Sequence, residues 1–120
     1  MACILIVDDE IYIRELVKKV LTPKGHKVLE ADNGHNAITT LQENNVDLVI
    51  TDLVMPGKGG IETLMEIRET NNTIKIIAIS GKIETSSDSI RTMASQFNVD
   101  RVLPKPFDVD KLVKMVSELT

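Results

Sequence analysis

Ile4-Leu5-Ile6-Val7-Asp8-Asp9 opens the chain with an unbroken apolar run that stops on two carboxylates. Apolar and polar residues do not alternate along it, so it reads as a strand buried on both faces, the kind a parallel sheet uses. Three later segments repeat the pattern. Leu48-Val49-Ile50-Thr51 stops on Asp52, Ile76-Ile77-Ala78-Ile79 stops on Ser80, and Val102-Leu103-Pro104 stops on Lys105. If these runs are neighbouring parallel strands, their polar ends gather along one edge of a sheet. Three carboxylates, a hydroxyl and an ammonium then share a pocket.

Working outward from these runs, strands are predicted near residues 3–7, 28–31, 46–51, 74–79 and 99–103. Helix-period stretches alternate with them. Ile13, Leu16, Val17, Val20 and Leu21 mark the first helix, which Pro23 and Gly25 end. Ala37, Ile38 and Leu41 mark the second, entered through Asp32-Asn33-Gly34. Ile61, Leu64 and Met65 mark the third, and Ile90, Met93, Ala94 and Phe97 the fourth. Val109, Leu112, Val113 and Val116 mark the fifth, with Asp108 placed to cap it. Five strand–helix pairs predict an α/β domain over residues 1–120: a doubly wound, five-stranded parallel sheet covered by helices on both faces. In such a fold the ligand site lies beyond the C-terminal ends of the strands, where strand order reverses.

Composition narrows the function classes. With 120 residues the chain can bury roughly two-thirds of its unfolded surface in one core, without disulfides or structural metal. Aromatic content is 2%, so that core is expected to be aliphatic, built from Ile, Val, Leu and Met. A net charge of −4, no basic block longer than Lys18-Lys19 and only Tyr12, Phe97 and Phe107 for stacking argue against nucleic acid as a partner. Cys3 stands alone in an apolar run and reads as a reduced core thiol. The apolar runs are too short to span a bilayer, and no leader is visible, so a cytoplasmic protein without membrane contact is expected. His26 and His35 read as surface residues. Gly57-Lys58-Gly59-Gly60 lacks the order of a phosphate-binding loop and reads as a turn.

The pocket has a chemistry of its own. Three carboxylates held close together repel one another, so either a pKa rises or a cation sits among them. Oxygen-only donors suit a hard divalent ion, Mg²⁺ above all, which keeps coordination positions open for phosphoryl oxygens. Lys105 offers a second positive group and Ser80 a hydrogen-bond donor. Phosphoryl transfer needs such groups, because its catalysis is largely positioning and charge stabilisation. Asp52, at the end of a central strand, is the candidate nucleophile for an acyl phosphate.

Four local motifs occur in order: Ile6-Val7-Asp8-Asp9-Glu10, Asp52-Leu53-Val54-Met55-Pro56-Gly57-Lys58-Gly59-Gly60, Ile79-Ser80-Gly81 and Pro104-Lys105-Pro106-Phe107. Over essentially its whole length the chain resembles the receiver domains of two-component response regulators. The resemblance implies a flavodoxin-like (βα)5 fold with strand order 2-1-3-4-5. It implies that Asp52 accepts the phosphoryl group and that Asp8 and Asp9, with Asp52 and the backbone carbonyl of Val54, hold Mg²⁺. It further implies that Ser80 is the switch hydroxyl and that Lys105 meets the phosphate. Lys105–Pro106 falls where family members carry a cis peptide, and from sequence alone it reads equally as an ordinary turn leaving the fifth strand. The implied donor is a sensor histidine kinase or phosphotransfer protein, and the implied output is a conformational change read by an unknown downstream protein, from a monomer or a phosphorylation-dependent dimer. Such a domain catalyses its own phosphorylation and dephosphorylation and turns over no external substrate. The sequence departs from the family pattern at Val102, where an aromatic is usual, at Asn98-Val99, where Gly-Ala is usual, and in a longer segment between Ser80 and Asn98. The alternative is a non-phosphorylated interaction module of the same fold. Without an output domain in these residues, a stand-alone regulator or phosphorelay intermediate is natural, and an excised domain is the other possibility.

Overall fold

A computed structural model of the chain describes residues 2–53, 60–71, 73–80, 92 and 95–120. Strands β1 (Cys3–Val7), β2 (Lys27–Ala31), β3 (Leu48–Asp52), β4 (Lys75–Ser80) and β5 (Arg101–Pro104) form one sheet in the order β2-β1-β3-β4-β5. Every pairing is parallel, with Ile4 opposite Val28 and Leu48, Asp52 opposite Ile79, and Ser80 opposite Pro104. The doubly wound sheet read from the sequence is the one observed. The start of β1 is the one expected, and the other strand starts differ by one or two residues. Near β3 the cause is local: the Asp47 carboxylate takes the Cys3 amide at 2.8 Å and bends the chain before Leu48. Before β5, the Asp100 carboxylate likewise takes the Ile76 amide at 2.9 Å.

Successive side chains of a strand point to opposite faces, and the core divides accordingly. Leu5, Val7, Val49, Ile76 and Ala78 face helices α2 (Gly34–Glu43) and α3 (Gly60–Thr70), packing with Ala37, Leu64 and Ile67. Ile4, Ile6, Leu48, Ile50, Ile77 and Ile79 face α1 (Ile11–Leu21) and α4 (Val109–Leu119), packing with Ile13, Val17, Leu21, Leu112 and Val116. Each fully buried Ile or Leu contributes about 2 kcal/mol of transfer free energy. Thr92 and Ser95–Phe97 are helical; the rest of the expected fourth helix, with Ile90, Met93 and Ala94, lies outside the described residues.

Helix boundaries follow the capping chemistry. Asn33 caps α2 by accepting the Asn36 amide at 2.8 Å, and Asp108 caps α4 by accepting the Asp110 amide at 2.8 Å. Beyond α1, Thr22–Lys24 form a 3₁₀ turn around Pro23. Gly25 then takes φ +92°, a left-handed conformation that glycine adopts without a Cβ clash. Asn98 takes φ +53°, so the turn before β5 is kept although glycine is absent there.

Two sequence expectations about the core need correction. Met65 and Ile61, assigned to the inward face of α3, are 45% and 48% exposed; Thr63, Leu64 and Ile67 form the buried face instead. Ile61 and Met65 are four residues apart and share a neighbouring stripe that the sheet does not reach. Cys3, expected in the core, is half-buried at the first position of β1, where the run meets the rim of the sheet.

Candidate functional site

The order reverses between β1 and β3, since β2 lies on one side of β1 and all later strands on the other. The carboxyl ends of these two strands carry Asp8 and Asp52. Asp8 follows β1 directly and is fully buried; Asp52 is the last residue of β3 and 3% exposed. Lys105 follows Pro104 at the end of β5 and is joined to Pro106 by a cis peptide. Its ammonium donates to Asp52 Oδ2 at 2.8 Å and lies 3.0 Å from Asp8 Oδ2. Three residues far apart in sequence thus meet within one salt-bridge length, in a place largely closed to solvent.

Asp8 is held from several directions. Its amide donates to the Ala31 carbonyl at 3.1 Å, its Oδ1 accepts the Glu10 amide at 2.9 Å, and its carbonyl accepts from Arg14 Nη1 at 2.8 Å. Oδ2 is buried and makes no hydrogen bond; its contact with Lys105 is ionic. Burial pushes the Asp8 carboxyl up, against the pull of the Glu10 amide and Lys105, and the charge of Asp52 adds to the rise. For Lys105, burial alone would lower the pKa, but the hydrogen bond to Asp52 and the charges of Asp8 and Asp52 outweigh it and hold the ammonium firmly protonated.

Asp9 is exposed and Glu10 half-buried beside Asp8. One carboxylate oxygen from each of Asp8, Asp9 and Glu10 lies within 4.8 Å of the others, a spacing open to a cation. Glu10 was not singled out from the sequence; its place immediately after the two aspartates was the available signal. Ser80 ends β4 on the same edge, as its strand position required, though its side chain lies outside the described structure. The Val54 carbonyl and the Gly57–Gly60 turn also lie outside it, apart from Gly60 at the start of α3. Arg14 escaped sequence reading altogether, because an arginine on an amphipathic helix resembles any solvated residue.

Compared with known proteins, residues 4–117 match the family model described as the response regulator receiver domain. The chain belongs to that family. Among relatives of this receiver, the chemotaxis protein CheY of Bacillus subtilis is 35% identical over 96% of the chain and 94% of its own length. The transcriptional regulatory protein ResD of the same organism is 38% identical over 97% of the chain but 47% of its own length. The receiver therefore spans about half the length of several curated relatives it matches. Among solved structures, CheY4 of Vibrio cholerae superposes with a TM-score of 0.91 at 27% identity, covering 100% of this chain and 99% of that one. The response regulator TrrA of Thermotoga maritima, solved in complex with Mg²⁺ and beryllium fluoride, gives 0.84 at 37% identity over the full length of both chains. The strand order 2-1-3-4-5 that the resemblance implied is the observed one. Among the described residues, no helix is long and apolar enough to cross a membrane.

Proposed function

We propose that this receiver accepts a phosphoryl group on Asp52 from the phosphohistidine of a sensor kinase or phosphotransfer protein, and signals through the resulting change at the strand edge. The single observation that carries the reading is Lys105 Nζ lying 2.8 Å from Asp52 Oδ2 and 3.0 Å from Asp8 Oδ2. A nucleophile, an acidic partner and a counter-charge are thereby assembled before any phosphoryl group arrives. The residues also fit a hard divalent cation. The buried Asp8 Oδ2 lacks a hydrogen bond, and the surrounding donors are carboxylates. Asp8, Asp9 and Asp52 would hold Mg²⁺ together with the Val54 carbonyl. When bound, Mg²⁺ supplies positive charge against the oxygens of the transferring group.

The chain's own residues then have defined work. A carboxylate oxygen of Asp52 forms a bond to phosphorus as the phosphorus–nitrogen bond to the donor imidazole breaks; the bonding pair stays on that nitrogen, and the imidazole, already protonated at its other nitrogen, leaves neutral. Lys105 stays protonated and exchanges its carboxylate contacts for a phosphoryl oxygen, with Ser80 donating to another. The acyl phosphate adds up to about two negative charges where one stood, and drawing β4 and β5 termini toward it shifts the population of conformations. Because Val102 stands where an aromatic is usual in the family, the shift proceeds without an aromatic rotation at that position. The domain acts on itself and turns over no external substrate.

Adding beryllium fluoride and Mg²⁺, a phosphoryl mimic, while following amide resonances tests this. Shifts at Asp52, at Ser80 and across residues 101–105 are expected, and an unchanged spectrum would overturn the reading.

A further inference from the structure

Arg14 lies one turn into α1, and its guanidinium points back over the loop that carries the acids. Nη1 donates to the Asp8 carbonyl at 2.8 Å, and Nε donates to Glu30 Oε1 at 3.3 Å. Glu30 sits on β2 in register with Ile6, two residues before Asp8, and its Oε2 lies 3.6 Å from Lys18 Nζ. The Arg14 side chain is 14% exposed and that of Glu30 32%, so the guanidinium is largely withdrawn from solvent while its acidic brace stands at the surface. The carbonyl it grips belongs to the peptide joining Asp8 to Asp9. That peptide is planar, so its tilt sets the directions in which the two aspartates leave the backbone. Asp8 offers four hydrogen-bonding groups. Ala31, Glu10 and Arg14 hold three of them, and Oδ2 is left with its ionic contact to Lys105.

We propose that Arg14, braced by Glu30, is a positioning residue of the acidic site, fixing the Asp8–Asp9 peptide so that both carboxylates are preset for a divalent cation. This rests on the Mg²⁺ reading given above. The charge of Arg14 works against the same end, because a guanidinium near the acids repels a second cation. Its net effect therefore has a diagnostic sign. If Arg14 acts only as a charge, removing it tightens Mg²⁺ binding; if it positions, removing it weakens binding. A planar fork holds two acceptors at a fixed angle, and a lysine ammonium cannot reproduce that.

The test is Mg²⁺ affinity, measured by titrating MgCl₂ against the amide resonances of Asp8–Glu10 in the native chain, Arg14→Met and Arg14→Lys. Thermal melts establish that each variant is folded. Arg14→Met is expected to bind Mg²⁺ about tenfold more weakly or worse, the usual scale for a residue supporting a ligand from behind. Arg14→Lys, with the charge kept and the fork lost, is expected to weaken binding as well. It decides the matter alone should the methionine variant fail to fold. Equal or tighter binding by Arg14→Met, or native affinity in Arg14→Lys, would overturn the positioning role while leaving the Mg²⁺ site standing. A native chain that binds no Mg²⁺ would instead bring down the underlying reading and the proposal with it.

Discussion

Lys105 and Arg68 are two cations drawn from solvent at opposite ends of the same parallel sheet. Lys105 follows β5 at its carboxyl end. Arg68, in the last turn of α3, lies where the chain enters β4 and β5. Arg68 donates Nε to the Phe97 carbonyl at 2.7 Å, Nη1 to that of Ile74 at 2.6 Å and Nη2 to that of Asn98 at 2.7 Å. All three guanidinium nitrogens face backbone oxygens that no rearrangement of side chains can remove. Lys105 faces two carboxylates, one of which has an oxygen with no hydrogen bond. A cation held by three carbonyls fastens the fold, whereas one shared between carboxylates can be traded for another partner. The contrast separates the end that holds the chain together from the end where the proposed chemistry would take place.

The largest stability effect is expected at the fastening end. Arg68→Met removes three charge-assisted hydrogen bonds, and urea denaturation should record a loss of about 3 kcal/mol, the exposed Asn98 carbonyl recovering some of its bond from water. Phosphoryl acceptance at Asp52 should survive in the folded fraction. Loss of acceptance there, with stability intact, would invert the assignment of the two ends.

Lys105→Met should cost less stability, roughly 2 kcal/mol, because its side chain is 16% exposed and so falls short of a fully buried pair. The sign with pH is fixed by the raised pKa of Lys105. Its contribution is complete below the ordinary lysine pKa and is lost as pH rises through the higher folded value. Native and variant stabilities should therefore converge at strongly alkaline pH. A difference that persisted there would mean that packing of the lysine stem, not its charge, was lost.

The smallest change is expected from Asp8→Asn, and in the opposite direction. Burial raises the Asp8 pKa, so the folded chain holds this proton more tightly than the unfolded one. Stability then falls as pH rises from the ordinary carboxyl range to the raised value. The Asp8→Asn variant should lack that slope and be slightly more stable than the metal-free native chain at neutral pH, while losing Mg²⁺ binding. A variant less stable at neutral pH would show that the Asp8–Lys105 contact outweighs the burial of the charge.

The same two ends differ in how far the sequence disclosed them. The acidic end was legible because apolar runs such as Ile4–Val7 and Leu48–Ile50 fix strand ends to within one residue, and strand ends decide which polar groups meet. Asp8, Asp52 and Lys105 come together for that reason alone. The Arg68 clamp was not legible, since it joins a side chain to backbone carbonyls, two of them about thirty residues away, and carbonyls carry no sequence signal. Arg14 was hidden in the same way. The exposure of Ile61 and Met65 went unread because helical period marks an apolar stripe without saying how wide the facing sheet is.

Intact mass after incubation with acetyl phosphate, with and without Mg²⁺, is the most direct test of the reactive end, run on the native chain and on Asp52→Asn. One labile phosphoryl group that requires both Mg²⁺ and Asp52 is the expected result. No phosphoryl group under any condition, or the same adduct on Asp52→Asn, would contradict the assignment of Asp52 as the acceptor.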